Sequence, residues 1–222
     1  MNVHINVVKL LSSRLCHDLV GPAGAVHNGM ELVEEMGGDD SGDALKMVSG
    51  SVEQLSARLS FFRMAFGIGG LSGRMPPLAE SRSMVEAFLQ GGRTRLDWSS
   101  DEDTILAPII TPPILKLLLN MILVAIDALP RGGTLGVTLA DMKTEQQNSA
   151  VGVAVKATGE GARLKDDLMS AMLPVDENDL NAHNVHGFFC QRLAAELSAQ
   201  VEVLPGENEV QFAVLVPEQN ER

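Results

Sequence analysis

Tyrosine is missing from this 222-residue chain, Trp98 is its single tryptophan, and aromatic residues make up only 4% of it. That scarcity argues against the stacking platforms that grip single-stranded nucleic acid. Basic residues are few as well: 17 Lys and Arg against 29 Asp and Glu leave a net charge of -12. With no basic patch to override it, that charge repels phosphate backbones and anionic membrane surfaces, so neither nucleic acid nor a membrane is expected as a partner. Cys16 and Cys190 are the two cysteines, far apart and outside any CxxC spacing. A disulfide framework is thereby excluded, and the expectation is a reducing compartment, the cytoplasm. Lys9, Lys116 and Asp127 interrupt the most apolar stretches. No uncharged run therefore reaches the roughly 18 residues of a membrane span.

What is present is the composition of a folded chain, 45% hydrophobic and 21% charged, long enough for about one and a half domains. The core has to be built from Leu, Val, Ile, Ala and 11 Met, the methionines serving as adaptable filling.

Two amphipathic stretches open the chain. Val8, Leu11, Leu15, Leu19, Val26, Met30 and Val33, with Pro22 completing the spacing, form one helical stripe. After the break at residues 37–42, Leu45, Val48, Val52, Leu55, Leu59, Phe62 and Phe66 repeat at alternating threes and fours, the seam of a helix that packs along another. Residues 6–66 thus read as an antiparallel hairpin. A hairpin alone has a thin core and completes itself against a larger body or a second copy, so a homodimer with a four-helix bundle is expected. The glycines at 67, 69, 70 and 73 and Pro76-Pro77 end this unit. Beyond them the pattern predicts helices at 78–90, 109–129 and 186–199, and strands at 93–98, 134–141, 150–157, 201–205 and 210–216. This is an α+β chain: a hairpin domain over 1–68, and over 74–218 an α/β sandwich with helices on one face of a mixed sheet.

His17 is the residue out of pattern, about 200° around the helix from Leu15 and so facing water. Above it on the same face stand Gly21, Gly24 and Asn28. Two glycines on an exposed helix face cost about 1 kcal/mol each relative to Ala, and clearance for another protein's approach explains the expense. Pro22 removes one helical hydrogen bond and is expected to loosen or bend the helix after His17. An exposed neutral imidazole is a capable nucleophile toward phosphorus, and Asp18 is placed to orient it or take a proton. Arg14 lies one turn below, and the hairpin brings Phe62 and Arg63 level with His17, so Arg14 and Arg63 are candidates to meet a phosphoryl group or an acidic partner. The same residues also read as an ordinary surface histidine, with glycines that only allow close packing. His183, His186 and Cys190 have helical spacing that could hold a metal but lack a further ligand, and are read as ordinary residues of a late helix. His27 lies at the edge of the exposed face without an evident partner.

The string Ser13-Arg14-Leu15-Cys16-His17-Asp18-Leu19-Val20-Gly21-Pro22 resembles the phosphoacceptor box of sensor histidine kinases. Together with Phe61-Phe62-Arg63-Met64-Ala65-Phe66-Gly67 it is more similar still to the ChpT-type histidine phosphotransferases of alphaproteobacteria. That resemblance implies a homodimer whose hairpins form a four-helix bundle, a degenerate histidine-kinase/Hsp90-type ATPase domain, and a His that relays phosphoryl groups between receiver domains. The segment Leu119 to Asp127 looks like a kinase N-box, but Val124 stands at its metal-chelating Asn. Ala157-Thr158-Gly159-Glu160-Gly161 looks like the first glycine box, with Ala157 in place of the adenine-binding Asp. An alanine cannot accept a hydrogen bond, so nucleotide binding is expected to be lost and the glycines to survive as a turn.

The resemblance implies a relay through His17 and Asp18, with docking at Arg14, Gly21, Gly24, Asn28, Phe62 and Arg63. No cofactor or metal is expected on this chain, and Mg²⁺ is expected on the partner receiver. The implied partners are a hybrid histidine kinase and response regulators of the CtrA and CpdR kind, which would place the chain in cell-cycle control. Two other readings are a noncatalytic dimeric scaffold for regulators and an ATP-using kinase, the latter opposed by Val124 and Ala157.

Overall fold

The computed structural model describes residues 5–36, 42–67, 76–99, 103–144, 146–173 and 179–218. Two long helices, α1 (Ile5–Met36) and α2 (Gly42–Phe66), form the hairpin. The breaks at 37–41 and 68–75 lie outside the described residues. Gly29 is buried where the helices meet, and a Cβ there would stand 2.6 Å from Cγ2 of Val48, so glycine sets how closely they approach. Helix α1 runs through Pro22 without interruption.

The second part contains α3 (Leu78–Leu89), β1 (Thr94–Trp98), α4 (Asp103–Leu106), α5 (Pro112–Asp127), β2 (Gly133–Lys143), β3 (Ser149–Thr158), α6 (Asp166–Ala171), α7 (Val185–Glu196), β4 (Glu202–Gly206) and β5 (Glu209–Pro217). Its sheet has the order β1-β2-β3-β5-β4, with β1 and β2 parallel and the other pairs antiparallel. Along the central strands Leu135, Val137, Leu139, Val153, Val155, Ala157, Val210, Phe212 and Val214 are buried, while their neighbours are more open. That period of two places the helices on one face.

Helix α5 is the central strut. Leu117 to Ala125 are all buried, so the helix is apolar almost all round, as a core helix is. The hairpin does not stand apart from this body. Phe61, Phe62 and Ala65 belong to the main core, with Leu15 and Leu19 packed against it. Val7 joins Ala171, Leu180 and Val185 in a second cluster. Nδ2 of Asn120 donates to the carbonyl oxygens of Ala65 and Lys116, both at 2.9 Å, and Nζ of Lys116 donates to the Gly67 carbonyl. Helix α5 thus clasps the end of α2.

Candidate functional site: an exposed imidazole at the domain junction

His17 lies on α1 with its side chain 85% exposed. Its Nδ1 stands 3.2 Å from Oδ1 of Asp18. A carboxylate oxygen lacks a hydrogen to give, so the Nδ1–H tautomer is the one that donates across this contact and keeps its lone pair on Nε2. Gly21 is exposed, Gly24 half-buried and Asn28 exposed. Among the described residues, a Cβ added at Gly21 or Gly24 meets nothing within 4 Å. These two glycines therefore do not serve packing among the described residues, and among those residues the face above His17 is open.

The docking residues expected around His17 divide. Arg63 is exposed, as a contact residue must be. Phe62 is buried, edge-on to Phe61 and to Phe88 of α3. Its ring is turned into the core, and so cannot line a docking face. Arg14 is corrected as well. Its Nη2 donates to both carboxylate oxygens of Asp127, at 2.8 and 3.1 Å, and its Nε donates to Oδ2 of Asp18 at 3.3 Å. The guanidinium is engaged within the chain and is not a free cation. Burial works against its charge, yet the carboxylates of Asp127 and Asp18 outweigh burial and raise its pKa. Burial pushes the Asp127 carboxyl above its ordinary value, and Arg14 opposes that rise. Contacts this short from one guanidinium nitrogen to both carboxylate oxygens are those of an ion pair.

Beside this network lies a cleft of about 320 Å³ between hairpin and sandwich, whose rim includes His17, Asp18, Asp127, Lys165, Asp167 and His183. Asp127 and Lys165 were not anticipated as site residues. A trace of the first was present: a carboxylate at the C-terminal end of a helix opposes the helix dipole and calls for a cation. His183 is exposed ahead of α7, whereas His186 and Cys190 are buried within it, so the three do not converge as ligands. Burial lowers the His186 pKa to about 4 and raises that of the Cys190 thiol to about 12. His27 pairs with Glu31 at 3.4 Å on the surface.

Val124 and Ala157 are fully buried. A Cβ on Gly159 would run into the carbonyl of Gly132, and one on Gly133 into that of Thr158. The glycines serve a close crossing of two chain segments, and Gly161 has φ +70°, as expected of a turn.

The chain is thus of α+β build, a helical hairpin packed on a mixed-sheet sandwich, with an exposed imidazole beside a carboxylate at their junction. Residues 78–209 match the family model of the histidine phosphotransferase C-terminal domain. The protein phosphotransferase ChpT of Brucella abortus (strain 2308) is 31% identical over 208 residues, which cover 92% of each chain. A bacterial phosphotransferase of known structure superposes with a TM-score of 0.74 at 26% identity, covering 96% of this chain and 98% of the other. The chain belongs to the ChpT-type histidine phosphotransferase family, and its activity is phosphotransfer.

Proposed function

We propose that His17 is the phosphoacceptor through which this phosphotransferase relays phosphoryl groups between receiver-domain aspartates. The observation that carries the reading is the exposed ring with its Nδ1 beside Asp18, on a helix whose Gly21 and Gly24 leave open space one and two turns further on. In the forward step Nε2 attacks the phosphorus of an aspartyl phosphate. The N–P bond forms as the O–P bond breaks, and the electron pair leaves with the receiver's carboxylate. The imidazolium so formed keeps its Nδ1 proton against Asp18, whose negative charge stabilises it. Reversal onto a second receiver completes the relay. Mg²⁺ on the receiver would neutralise the transferring oxygens, so this chain needs to supply only a positioned nucleophile and a docking face. Gly21, Gly24, Asn28 and Arg63 are the docking residues in this reading.

Donor and acceptors are a hybrid histidine kinase and cell-cycle regulators of the CtrA and CpdR kind, met in the cytoplasm. ATP takes no part, in keeping with Val124 and Ala157 at the two positions where a kinase needs Asn and Asp. The working unit is a homodimer. Leu45, Val52 and Leu59, seven residues apart on α2, are 44–49% exposed, and Val8 and Met30 on α1 are similarly bare. These side chains form the seam that a second hairpin would cover to make a four-helix bundle. The relay is tested by following label from a phosphorylated receiver domain onto wild type and His17→Gln.

A further inference from the structure

A continuous chain of charge-assisted contacts runs from the sandwich to the imidazole. Asp127 at the end of α5 accepts two bonds from Arg14, at 2.8 and 3.1 Å. Arg14 reaches Asp18 at 3.3 Å, and the other oxygen of Asp18 meets His17 at 3.2 Å. Resting on His17 as the phosphoacceptor, we propose that Asp127 is a positioning residue for phosphotransfer. It fixes Arg14, which fixes the Asp18 carboxylate in the orientation that holds the His17 ring.

The argument is one of restraint. A ring that is 85% exposed rotates freely unless something holds it, and its hold here is a neighbouring carboxylate. That carboxylate is itself steadied by Arg14 at an i,i+4 spacing, a contact that on an open helix surface is weaker than thermal motion and leaves both side chains mobile. The two contacts from Nη2 to Asp127 change this, because they tie the far end of the guanidinium to the sandwich while Nε faces Asp18. The side chains of Arg14, Asp18 and Asp127 are 20%, 22% and 24% exposed, so water screens the network far less than an open surface pair. Asp127 acts through Arg14 and Asp18, without contact to the ring. Through it the sandwich bears on the chemistry of the hairpin with no nucleotide involved.

The test uses the full-length chain with two variants. Asp127→Asn removes the charge while keeping the shape, and Arg14→Lys keeps a cation that can meet one carboxylate but not span two. Long-range proton–nitrogen spectra report the tautomer of His17, whose signals are identified by their loss in His17→Gln. Wild type is expected as the Nδ1–H tautomer, and both variants as a mixture. Transfer from a phosphorylated receiver domain should slow about tenfold in kcat, with the KM for the receiver unchanged. Wild-type tautomer and rate in both variants would overturn the proposal. So would a slower rate with the tautomer unchanged, since the role would then be purely structural. Label on His17→Gln would instead overturn the phosphoacceptor reading beneath it, and with that the positioning role.

Discussion

At the scale of single residues, His17 was legible because it breaks a period: an imidazole opposite an apolar stripe, with small residues above it. What the period could not show is which side chains reach across the fold. Arg14 and Asp127 are 113 positions apart, and no local spacing announces such a pair. Helical geometry also told how far along the hairpin Phe62 lies, not which way it turns, although its place in the seam of threes and fours already pointed inward. The open space at Gly21 yields a prediction with two signs. Gly21→Ala meets no neighbour and should stabilise α1 by about 1 kcal/mol, raising the melting temperature. Yet relay from a receiver should slow, because the methyl group intrudes on the docking face. Thermal melts and transfer rates on one preparation decide it.

Between elements, the long periodic segments were readable, and the strands and helices predicted from pattern fall within a few residues of those observed. Helices α4 and α6, of four and six residues, escaped because so short a segment shows no period. The junction of α2 with α7 was equally hidden. There the His186 ring lies tilted against Phe66 with centroids 5.4 Å apart, and neither ring nitrogen meets a hydrogen-bond partner among the described residues. Its pKa is lowered to about 4 from 6.5, chiefly by burial. The unfolded chain therefore takes up a proton below pH 6.5 that the folded chain refuses until about pH 4. Stability is retained above pH 6.5 and falls as the pH drops through that window, by about 3 kcal/mol from this residue. Urea unfolding at pH 7.5 and pH 4.5 should show the loss in wild type, with a correspondingly smaller loss in His186→Leu.

For the molecule as a whole, composition marked out a folded, acidic chain long enough for about one and a half domains. No described helix is long and apolar enough to cross a membrane. The hairpin and sandwich are not merely tethered, since they share one core and the Arg14–Asp127 pair. The proposed dimer is tested at this scale. Leu59 is 49% exposed on the outer seam of α2, so Leu59→Glu should preserve the fold while converting a dimer to monomers in sedimentation equilibrium. A monomeric wild type would remove the bundle from the account.

The central claim is that phosphoryl groups pass through the exposed imidazole of His17, and its direct measurement is the fate of label from a phosphorylated receiver domain. Wild type should acquire an acid-labile, base-stable phosphoryl group and pass it to a second receiver, while His17→Gln acquires none. Equal label on both proteins would contradict the account.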